Sequence, residues 1–339
     1  MAAKYSDCRI FQPGKDFSRK YYETMSDHPD LSIIIVSYNT RDLTLACLRS
    51  IESFPPSCRY ETIVVDNASR DDSVESIRKN HPHVKLICSE TNLGFARANN
   101  QALLEAQGEI LVLLNSDTEV HPGALDDLWA AFRNHPEIAA GGGRLLNTDG
   151  TLQHGVRYHP RLSNAISEAL FLHRLFNGPC WSEIETDPKK YESFHRAEWL
   201  SGAYLAIRRD WFQRVGGLDP GFFMYSEDSD WCRRIEDAGG LVAYIPDSVV
   251  THHGGGSSRT ANEFLLVMRT RARDRYARIH MNPMAAAAYR LILAFGLLLR
   301  AALFLLICPF GSQYRKNLWW RLKALCQLYA SPLPLKTNE

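Results

Sequence analysis

The sequence predicts an α/β fold with a mostly parallel central sheet and helices on both of its faces. Apolar runs rich in isoleucine, valine and leucine occur at 31–39, 60–69 and 109–117, and each ends in polar residues. Such runs suit strands that are buried on both faces. They alternate with segments of helical spacing over short links, which indicates βαβ units with right-handed crossovers.

The predicted elements follow one another regularly from residue 31. "LSIIIVSYN" is the first strand, and "TRDLTLACLRSIESF" (40–54) places Leu43, Cys47 and Ile51 on one helical face. The next strands are "YETIVVDNAS", "VKLICS" and "EILVLLNSD", separated by the helices "DDSVESIRKNH" and "FARANNQALLEAQ".

From residue 145 onward the sequence predicts a hairpin, loops, strands and helices without the regular strand–helix alternation. Asp149-Gly150 lies between extended runs and predicts a hairpin turn. Residues 155–198 are rich in aromatics and histidines, and we expect loops and short helices that shape an acceptor site. "AEWLSGAYLAIRRDWFQRVGGLD" predicts a strand and then a helix. "SEDSDWCRRIEDAGG" predicts a helix that Gly239-Gly240 ends, and "LVAYIPDSVVTHH" is extended.

Composition limits the class of protein. The 339 residues are enough for one large α/β domain, with or without an appendage, and 45% hydrophobic content indicates a globular chain. A net charge of +1 argues against a nucleic-acid partner. The eight scattered cysteines are interpreted as reduced core residues of a cytosolic domain. Residues 1–30 are interpreted as a polar extension without a secretory signal.

The C-terminal region, 261–339, is predicted to be helical and to associate with a membrane. Its apolar segment, about 285–310, is interrupted by Arg290, Arg300 and Pro309. It could lie in the membrane plane as an amphipathic or re-entrant anchor, span once, or be a buried core helix. Aromatic and basic residues after it suit a membrane interface: Tyr314, Arg315, Lys316, Trp319, Trp320, Arg321 and Lys323. The basic stretch 268–278 suits lipid head groups or an acceptor pyrophosphate, or is a solvated helix face.

Polar side chains at three strand ends predict a ligand site, because ligands of such sheets bind beyond the carboxyl ends of the strands. They are Ser37, Tyr38, Asn39, Asp66, Asn67, Asn115, Ser116 and Asp117. The glycine fingerprints of dinucleotide enzymes and P-loop NTPases are absent, as are the zinc-protease and hydrolase motifs. A nucleotide sugar suits such acids, since one carboxylate can accept a pyrimidine N–H and another can hold Mg²⁺ or Mn²⁺ against a diphosphate.

The chain resembles family 2 glycosyltransferases of the GT-A fold, in the bacterial branch that includes many rhamnosyltransferases. The resemblance is carried by "SIIIVSYN", "IVVDNAS", "NLGFARANN", "LLNSD", "WLSGAYLAIRRD", "GGLD", "FFMYSEDSDWCRR" and "HHGGGSS", in the family's order. It covers about residues 31–260, which would form the GT-A domain.

The resemblance implies a donor and metal site. Asp66 would read the pyrimidine, and Asp117 would be the metal-binding acid of a D-x-D motif in which Asn115 replaces the first Asp. Asn115 brings no charge, which weakens the expected metal affinity. His252, with His253 as second choice, would complete the metal site, and Gly254-Gly255-Gly256 would form a mobile loop. The structural alternatives are helix caps at Asp66 and Asp117 and a purely structural histidine.

The remaining positions implied by the resemblance line the donor pocket or carry the chemistry. Asp228 of the Glu227-Asp228 pair would be the general base, Asp230 would orient its loop, and Arg234 would form an ion pair inside the site. An acidic helix N-terminus is the alternative for the pair. The further donor-binding residues would be Ser37, Tyr38, Asn39, Asn92, Gly94, Arg97, Asn115, Gly202 and Arg234, and Arg97 could equally be an exposed helix residue.

The expected function is an inverting, metal-assisted sugar transfer from a nucleoside-diphosphate donor, with dTDP-L-rhamnose implied by the resemblance. The acceptor would be a lipid-linked saccharide or polysaccharide at the cytoplasmic face of a bacterial inner membrane, which the enzyme meets peripherally or through one span. Another UDP- or GDP-sugar donor is an alternative. A non-catalytic nucleotide-sugar scaffold is another, suggested by Asn115. A dehydrogenase is disfavoured because the glycine fingerprint is missing.

Overall fold

The computed structural model describes residues 28–254, 262–307 and 312–330. Predictions for residues 1–27, for Gly255 and Gly256, for Pro309 and for the side chain of Tyr314 lie outside the described residues. The strands are β1 Leu31–Ser37, β2 Tyr60–Asp66, β3 Lys85–Cys88, β4 Ile110–Asn115, β5 Thr118–Val120, β6 Ile138–Leu146, β7 Leu152–Gln153, β8 Val156–Arg157, β9 His195–Arg196, β10 Trp199–Leu200, β11 Tyr204–Arg208 and β12 Leu241–His252. The helices are α1 Arg41–Ser53, α2 Ser73–Asn80, α3 Phe95–Glu105, α4 Ala124–Asn134, α5 Leu162–Ala169, α6 Arg209–Val215, α7 Glu227–Asp237, α8 Asn262–His280, α9 Pro283–Ile307 and α10 Ser312–Tyr329.

The central sheet is mixed, with a parallel half. Its strand order is β3-β2-β1-β4-β11-β6-β12-β5. The first four strands are parallel, as the alternation of strands and helices predicts. Strand β11 lies antiparallel between β4 and β6, and β12 runs parallel to β6. The predicted hairpin at Asp149-Gly150 joins β6 to β7. The predicted α/β architecture is confirmed.

The register of the parallel strands brings their polar ends to one edge. Ser37 pairs with Asp66 across β1 and β2, and Val36 pairs with Asn115 across β1 and β4. The three strand ends singled out in the sequence are therefore neighbours in space.

Helices cover both faces of the sheet. Ile33, Ile34 and Ile35 of β1 are fully buried, alternating between the two faces. One face packs against α1, α2 and α4, and the other packs against α3 and α7. Both faces of β1 are thus dry, which explains its unbroken apolar sequence.

Burial of the cysteines differs from the sequence prediction. Cys47 and Cys232 are buried in the core, but Cys88, Cys180 and Cys326 are exposed. The core assignment is wrong for these three, because they lie on the outer strand β3, in a loop and on an exposed part of α10.

The C-terminal helices pack against the rest of the chain by one side of α9. Tyr289 and Leu297 of α9 are buried, and Arg290 forms a bidentate ion pair with Asp274 of α8 at 2.7 and 2.8 Å. Within the described residues α9 alone is long and apolar enough, over Pro283–Leu306, to cross a membrane. Its other side exposes Leu291 (64%) and Phe295 (50%), so a buried core helix does not fit.

Candidate functional site

A cavity of about 1040 Å³ opens at the carboxyl edge of the sheet. The predicted site residues that line it are Asn115, Asp117, Gly202, Glu227, Asp228 and His252. Ser116 and Gly254 also line it, whereas the remaining predicted site residues that the structure describes lie outside its lining. Ser37, Tyr38, Asn39, Asp66, Asn92 and Gly94 belong to the neighbouring strand ends and loops, and Arg97, Asp230 and Arg234 lie further from them.

The Asp66 carboxylate at the end of β2 has one oxygen ready for a ligand. The side chain is 2% exposed, and its Oδ2 accepts a hydrogen bond from the Ser69 backbone N–H at 3.0 Å. Its Oδ1 is buried and has no hydrogen-bond partner within the described part of the chain. A buried acceptor left unpaired costs free energy, which a bound N–H donor would relieve.

Amide side chains connect the loops around Asp66. Asn67 donates from Nδ2 to Oδ1 of Asn92 at 3.0 Å and accepts from the Leu93 backbone N–H at 2.8 Å. Asn92 Oδ1 also accepts from the Gly94 N–H at 2.9 Å. Asn39 is exposed and accepts from the Arg70 N–H at 2.8 Å. These bonds fix the shape of the loops beside the strand ends.

Gly94 holds the start of α3 against the segment that precedes Asp228. Its φ is +79°, and a Cβ added there would lie 2.5 Å from the carbonyl oxygen of Phe223. That same oxygen accepts from the Phe95 N–H at 2.7 Å. The position therefore needs glycine for both its backbone conformation and its close packing.

Substituting Gly94 by alanine should destabilise the protein more than a matched glycine substitution. Gly150 has a φ of +81° but nothing within 4 Å of an added Cβ. We expect Gly150→Ala to cost about 1 kcal/mol from backbone strain. Gly94→Ala should cost about 2 to 4 kcal/mol, because the clash with Phe223 is added. Urea unfolding of both variants measures the difference, and equal losses would contradict the close-packing role.

Ser37 is fully buried and lies outside the cavity lining. Its Oγ is 2.9 Å from Thr44 Oγ1 and 3.3 Å from Thr40 Oγ1, and Thr40 Oγ1 is 3.1 Å from Ser116 Oγ. All four side chains are buried. This hydroxyl cluster ties the start of α1 to the turn that carries Asp117, while the half-buried Tyr38 follows it at the strand end.

A hydrogen-bond network fixes the tautomer of His252. Gln153 Nε2 donates to the backbone oxygen of His252 at 3.2 Å and to Asn147 Oδ1 at 2.9 Å. The amide oxygen of Gln153 therefore faces His252 Nδ1, at 2.6 Å, and accepts its proton. His252 Nε2 then presents a lone pair in the neutral ring.

The lone pair of His252 faces the carboxylate of Asp117, a pair of side chains that a divalent cation could bridge. His252 Nε2 lies 3.2 Å from Asp117 Oδ1 and 3.4 Å from Asn115 Nδ2. A ring nitrogen lone pair and a carboxylate oxygen this close are stabilised by a cation placed between them. No cluster of three or more His, Cys, Asp or Glu side chains suited to a metal occurs among the described residues. The pair fits a divalent ion that takes its other ligands from a substrate diphosphate and water.

Asp228 lies at the start of α7 and is connected to Asn115 through Gly202 and Ala203. Its Oδ2 accepts from the Gly202 N–H at 3.0 Å, and its Oδ1 accepts from the Ser229 N–H at 2.8 Å. The backbone oxygen of Ala203, which follows Gly202, accepts a hydrogen bond from the Asn115 N–H at 3.0 Å. An added methyl on Gly202 would make only ordinary contacts, at 3.5 Å. Burial raises the pKa of Asp228, against these hydrogen bonds and the nearby Arg157.

The two residues before Glu227 have strained backbone. Tyr225 and Ser226 have φ values of +72° and +64°, and neither is glycine. Consecutive left-handed residues of this kind cost free energy and are concentrated at functional sites. Here they turn Glu227 and Asp228 towards the cavity, at the positive end of the helix dipole.

Glu227 is a buried carboxyl group that forms no ion pair with any described residue. It is 4% exposed, and within the described residues its Oε2 has no hydrogen-bond partner. Burial, and then the charge of Asp228, raise the pKa of Glu227 well above its ordinary value. The folded chain thus binds a proton that the unfolded chain releases, and stability falls as pH rises from the ordinary pKa, about 4.3, to the raised value.

The substitution Glu227→Gln should therefore stabilise the protein most at high pH. The neutral amide avoids the cost of a buried charge, so the gain in melting temperature should grow as the pH rises above the ordinary glutamate pKa of about 4.3. Glu75→Gln, at an exposed position of α2, is the control and should show no such trend. Thermal unfolding at a series of rising pH values measures both, and a gain independent of pH would contradict the buried charge.

Asp230, Arg234 and Arg97 make structural contacts. Asp230 is 1% exposed and pairs with Arg234 Nε at 2.9 Å and with His280 Nε2 at 2.8 Å. Arg234 also donates to the backbone oxygens of Val215 and Gly217, both at 2.7 Å. Arg97 is exposed and donates to the carbonyl of Pro220 at 3.0 Å. The predicted donor-binding roles of the two arginines receive no support from these positions.

Sequence reasoning missed Gln153, which orients His252. It lies on β7, and only the β6–β7 hairpin brings it beside the end of β12. No motif marks it. Asn67 was identified only as a polar strand end, although it directly follows Asp66 and joins Asn92.

Comparison with known proteins places the chain among sugar-transferring enzymes. A family profile described as Glycosyl transferase family 2 matches residues 32–234. The chain is 30% identical over 245 residues to the N-acetylglucosaminyl-diphospho-decaprenol L-rhamnosyltransferase of Mycobacterium tuberculosis, covering 67% of this chain and 77% of that protein. It is also 36% identical over 63 residues to the rhamnosyltransferase WbbL of Escherichia coli K12, covering 19% of this chain and 24% of the relative.

Two solved structures share the fold. GalNAc-T7 with UDP, GalNAc and Mn²⁺ matches with a TM-score of 0.56 at 15% identity, covering 93% of this chain and 66% of that one. The mannosyltransferase PcManGT from Pyrobaculum calidifontis, in complex with GDP-Man and Mn²⁺, matches with a TM-score of 0.53 at 19% identity, covering 92% and 89%. The predicted GT-A architecture is confirmed.

Proposed function

Because this chain belongs to glycosyl transferase family 2, an enzyme family that uses nucleotide sugars, we propose that it is an inverting rhamnosyltransferase that uses dTDP-L-rhamnose. The observation that carries the proposal is the placement of Asp228 and the Asp117–His252 pair in one cavity, bridged by Gly202-Ala203. The rhamnosyl donor is suggested by the 30% identical relative, whose name specifies rhamnose transfer.

The donor would extend from the strand ends into the cavity. The open Oδ1 of Asp66 would accept the N–H of the thymine ring, and Asn92 and Gly94 would shape the adjoining loop. The diphosphate would lie near Asp117 and His252, which would hold Mg²⁺ or Mn²⁺. When bound, that ion supplies positive charge that stabilises the departing diphosphate.

Asp228 would carry the proton transfer. As the acceptor oxygen bonds to the anomeric carbon and the bond to the diphosphate breaks, Asp228 would take the hydroxyl proton. The Gly202 and Ser229 N–H groups hold its oxygens in place. A single displacement from the face opposite the leaving group inverts the anomeric configuration.

The C-terminal helices would bring this site to a membrane. The apolar side of α9 exposes Leu291, Phe295 and Leu298, while Arg290 pairs with Asp274 within the protein. A helix with one packed side and one exposed apolar side suits the plane of a membrane surface. The relative's name specifies a diphospho-decaprenol acceptor, so we propose a lipid-linked saccharide at the cytoplasmic face of a bacterial inner membrane.

Release of nucleoside diphosphate from a panel of nucleotide sugars tests the proposal. The full chain in detergent should release dTDP from dTDP-L-rhamnose with Mn²⁺ or Mg²⁺, faster than it releases UDP or GDP from other sugar nucleotides. Faster use of a UDP- or GDP-sugar would overturn the donor assignment. No release from any of them, with nucleotide binding intact, would indicate the non-catalytic scaffold that Asn115 suggests.

A further inference from the structure

The far end of the site cavity has a wall of apolar and cationic side chains. It is formed by the C-terminal helices, which lie outside the family match at 32–234. Leu265 and Leu266 of α8 and Leu293 and Leu297 of α9 supply the apolar part. Arg269 of α8, Arg300 of α9 and Arg321 of α10 line it as well. We call these three residues the arginine wall.

Most arginines of the basic stretch 268–278 that follow Arg269 pair with carboxylates of the protein. Arg273 pairs with Glu168 at 2.6 Å and with Glu183, and Arg275 pairs with Asp219 at 2.6 Å. Arg278 pairs with Asp274 at 3.1 Å. Arg269 instead lies over the ring of Tyr225 at 4.6 Å, two residues before Glu227.

The arginine wall has no ion-pair partner among the described residues. Burial lowers the pKa of Arg300, and the one carboxylate whose charge opposes this, that of Glu168, is itself paired with Arg273. Across the described ranges, none of its three residues forms an ion pair with a carboxylate within 4.0 Å. Arg300 uses its guanidinium on backbone oxygens, those of Glu168 at 2.6 Å and Gly296 at 3.1 Å. Arg321 donates to the Asn317 carbonyl at 3.0 Å, and its buried Nε has no acceptor among the described residues.

Two cations held close together at a partly buried surface, as Arg300 and Arg321 are, are unfavourable unless an anion joins them. Burial and the charge of Arg300 lower the pKa of Arg321. The planar guanidinium binds phosphate oxygens through two parallel hydrogen bonds. The leucines beside it would favour a hydrocarbon chain attached to the same anion.

We propose that the arginine wall binds the diphosphate of a lipid-linked acceptor, with the first units of the lipid packed on the neighbouring leucines. This inference rests on the proposed function. The donor diphosphate is assigned to the other side of the site, where Asp117 and His252 lie. Membrane head groups fit less well, because the arginines line the cavity while Leu291 and Phe295 are exposed on α9.

Binding of farnesyl diphosphate to the full chain tests the inference. Calorimetry in neutral detergent, with excess dTDP and Mg²⁺ filling the donor site, should show that Arg321→Gln and Arg269→Gln each weaken binding about tenfold, the effect of one charge-assisted hydrogen bond. Arg214→Gln is the matched control, since Arg214 is exposed and lies over Trp211 at 4.7 Å outside the cavity. It should bind as the wild type does.

Two further binding experiments compare farnesyl diphosphate with free pyrophosphate and with anionic lipid head groups. Pyrophosphate should bind more weakly than farnesyl diphosphate, and equal binding would overturn the lipid part of the inference. Arg321→Gln and Arg269→Gln should not change binding to vesicles that contain anionic lipid. A loss there, with farnesyl diphosphate binding retained, would assign the arginines to membrane head groups and overturn the inference.

The binding of farnesyl diphosphate and the release of nucleotide test the arginine wall and the proposed function separately. If all variants release dTDP from the donor and bind farnesyl diphosphate equally well, the arginine wall is not the acceptor site and the proposed function stands. If no variant releases nucleotide, the proposed function fails, and the calorimetric comparison still decides whether the wall binds a lipid diphosphate.

Discussion

Asp228→Asn is expected to lower kcat by about 10²- to 10⁴-fold, the usual contribution of a positioned general base. Asparagine keeps the size of the side chain but cannot take the acceptor proton. Binding of dTDP should change little, because the Asp228 carboxylate contacts Gly202 and Ser229, whereas the thymine ring is placed at Asp66 on another strand end. Steady-state transfer rates and calorimetric titration with dTDP measure the two effects.

The control for this variant is Asp237→Asn, at the other end of the same helix. Asp237 pairs with Arg233 at 2.8 Å, at an exposed position. It should leave transfer unchanged. Because burial raises the pKa of Asp228, wild-type activity should also fall on acidification at a pH above the ordinary aspartate range of about 4. Transfer by Asp228→Asn within tenfold of wild type would contradict the base assignment.

Asp117→Asn is expected to lower kcat/KM by about 100-fold, equivalent to about 2.7 kcal/mol of transition-state stabilisation. The substitution removes the charged oxygen that lies 3.2 Å from His252 Nε2. Asn115 cannot replace that charge, and Gln153 orients the imidazole without contributing one. Higher Mn²⁺ concentrations should then be needed for half-maximal activity.

Metal binding itself provides a measurement that does not depend on turnover. Electron paramagnetic resonance of Mn²⁺ with dTDP present should show weaker binding in Asp117→Asn. Glu119→Gln is the matched control, since Glu119 pairs with His253 at 2.7 Å and lies outside the cavity lining. Unchanged Mn²⁺ affinity in the Asp117 variant would remove this residue from the metal site.

The parallel half of the sheet could be predicted because its determinants are local. Buried strands carry unbroken apolar runs, and their polar ends are adjacent in the sequence to those runs. The register that places Ser37 beside Asp66 follows from pairing equivalent strand positions. The antiparallel entry of β11 between β4 and β6 has no such local signal, because strand direction depends on the path of the preceding loops.

Site residues that belong to a sequence motif could be predicted. Residues that reach the site only through tertiary packing could not. Asp117, Asp228 and His252 come together in one cavity as the motifs suggest. The resemblance implies for Arg234 both an ion pair and donor binding; the ion pair forms with Asp230, and two backbone carbonyls take up the rest of the guanidinium. Gln153 and the arginine wall depend on a hairpin and on helix packing, which residue patterns do not specify.

The anomeric configuration of the product shows whether Asp228 acts as the base of a single displacement. If Asp228 acts as a base in a single displacement, the transferred sugar must have the configuration opposite to that in the donor. NMR of the isolated product, read from the one-bond coupling between C1 and H1, measures it. We expect the anomeric configuration to be inverted when dTDP-L-rhamnose is the donor. A retained configuration would require a second displacement and would contradict the role of Asp228.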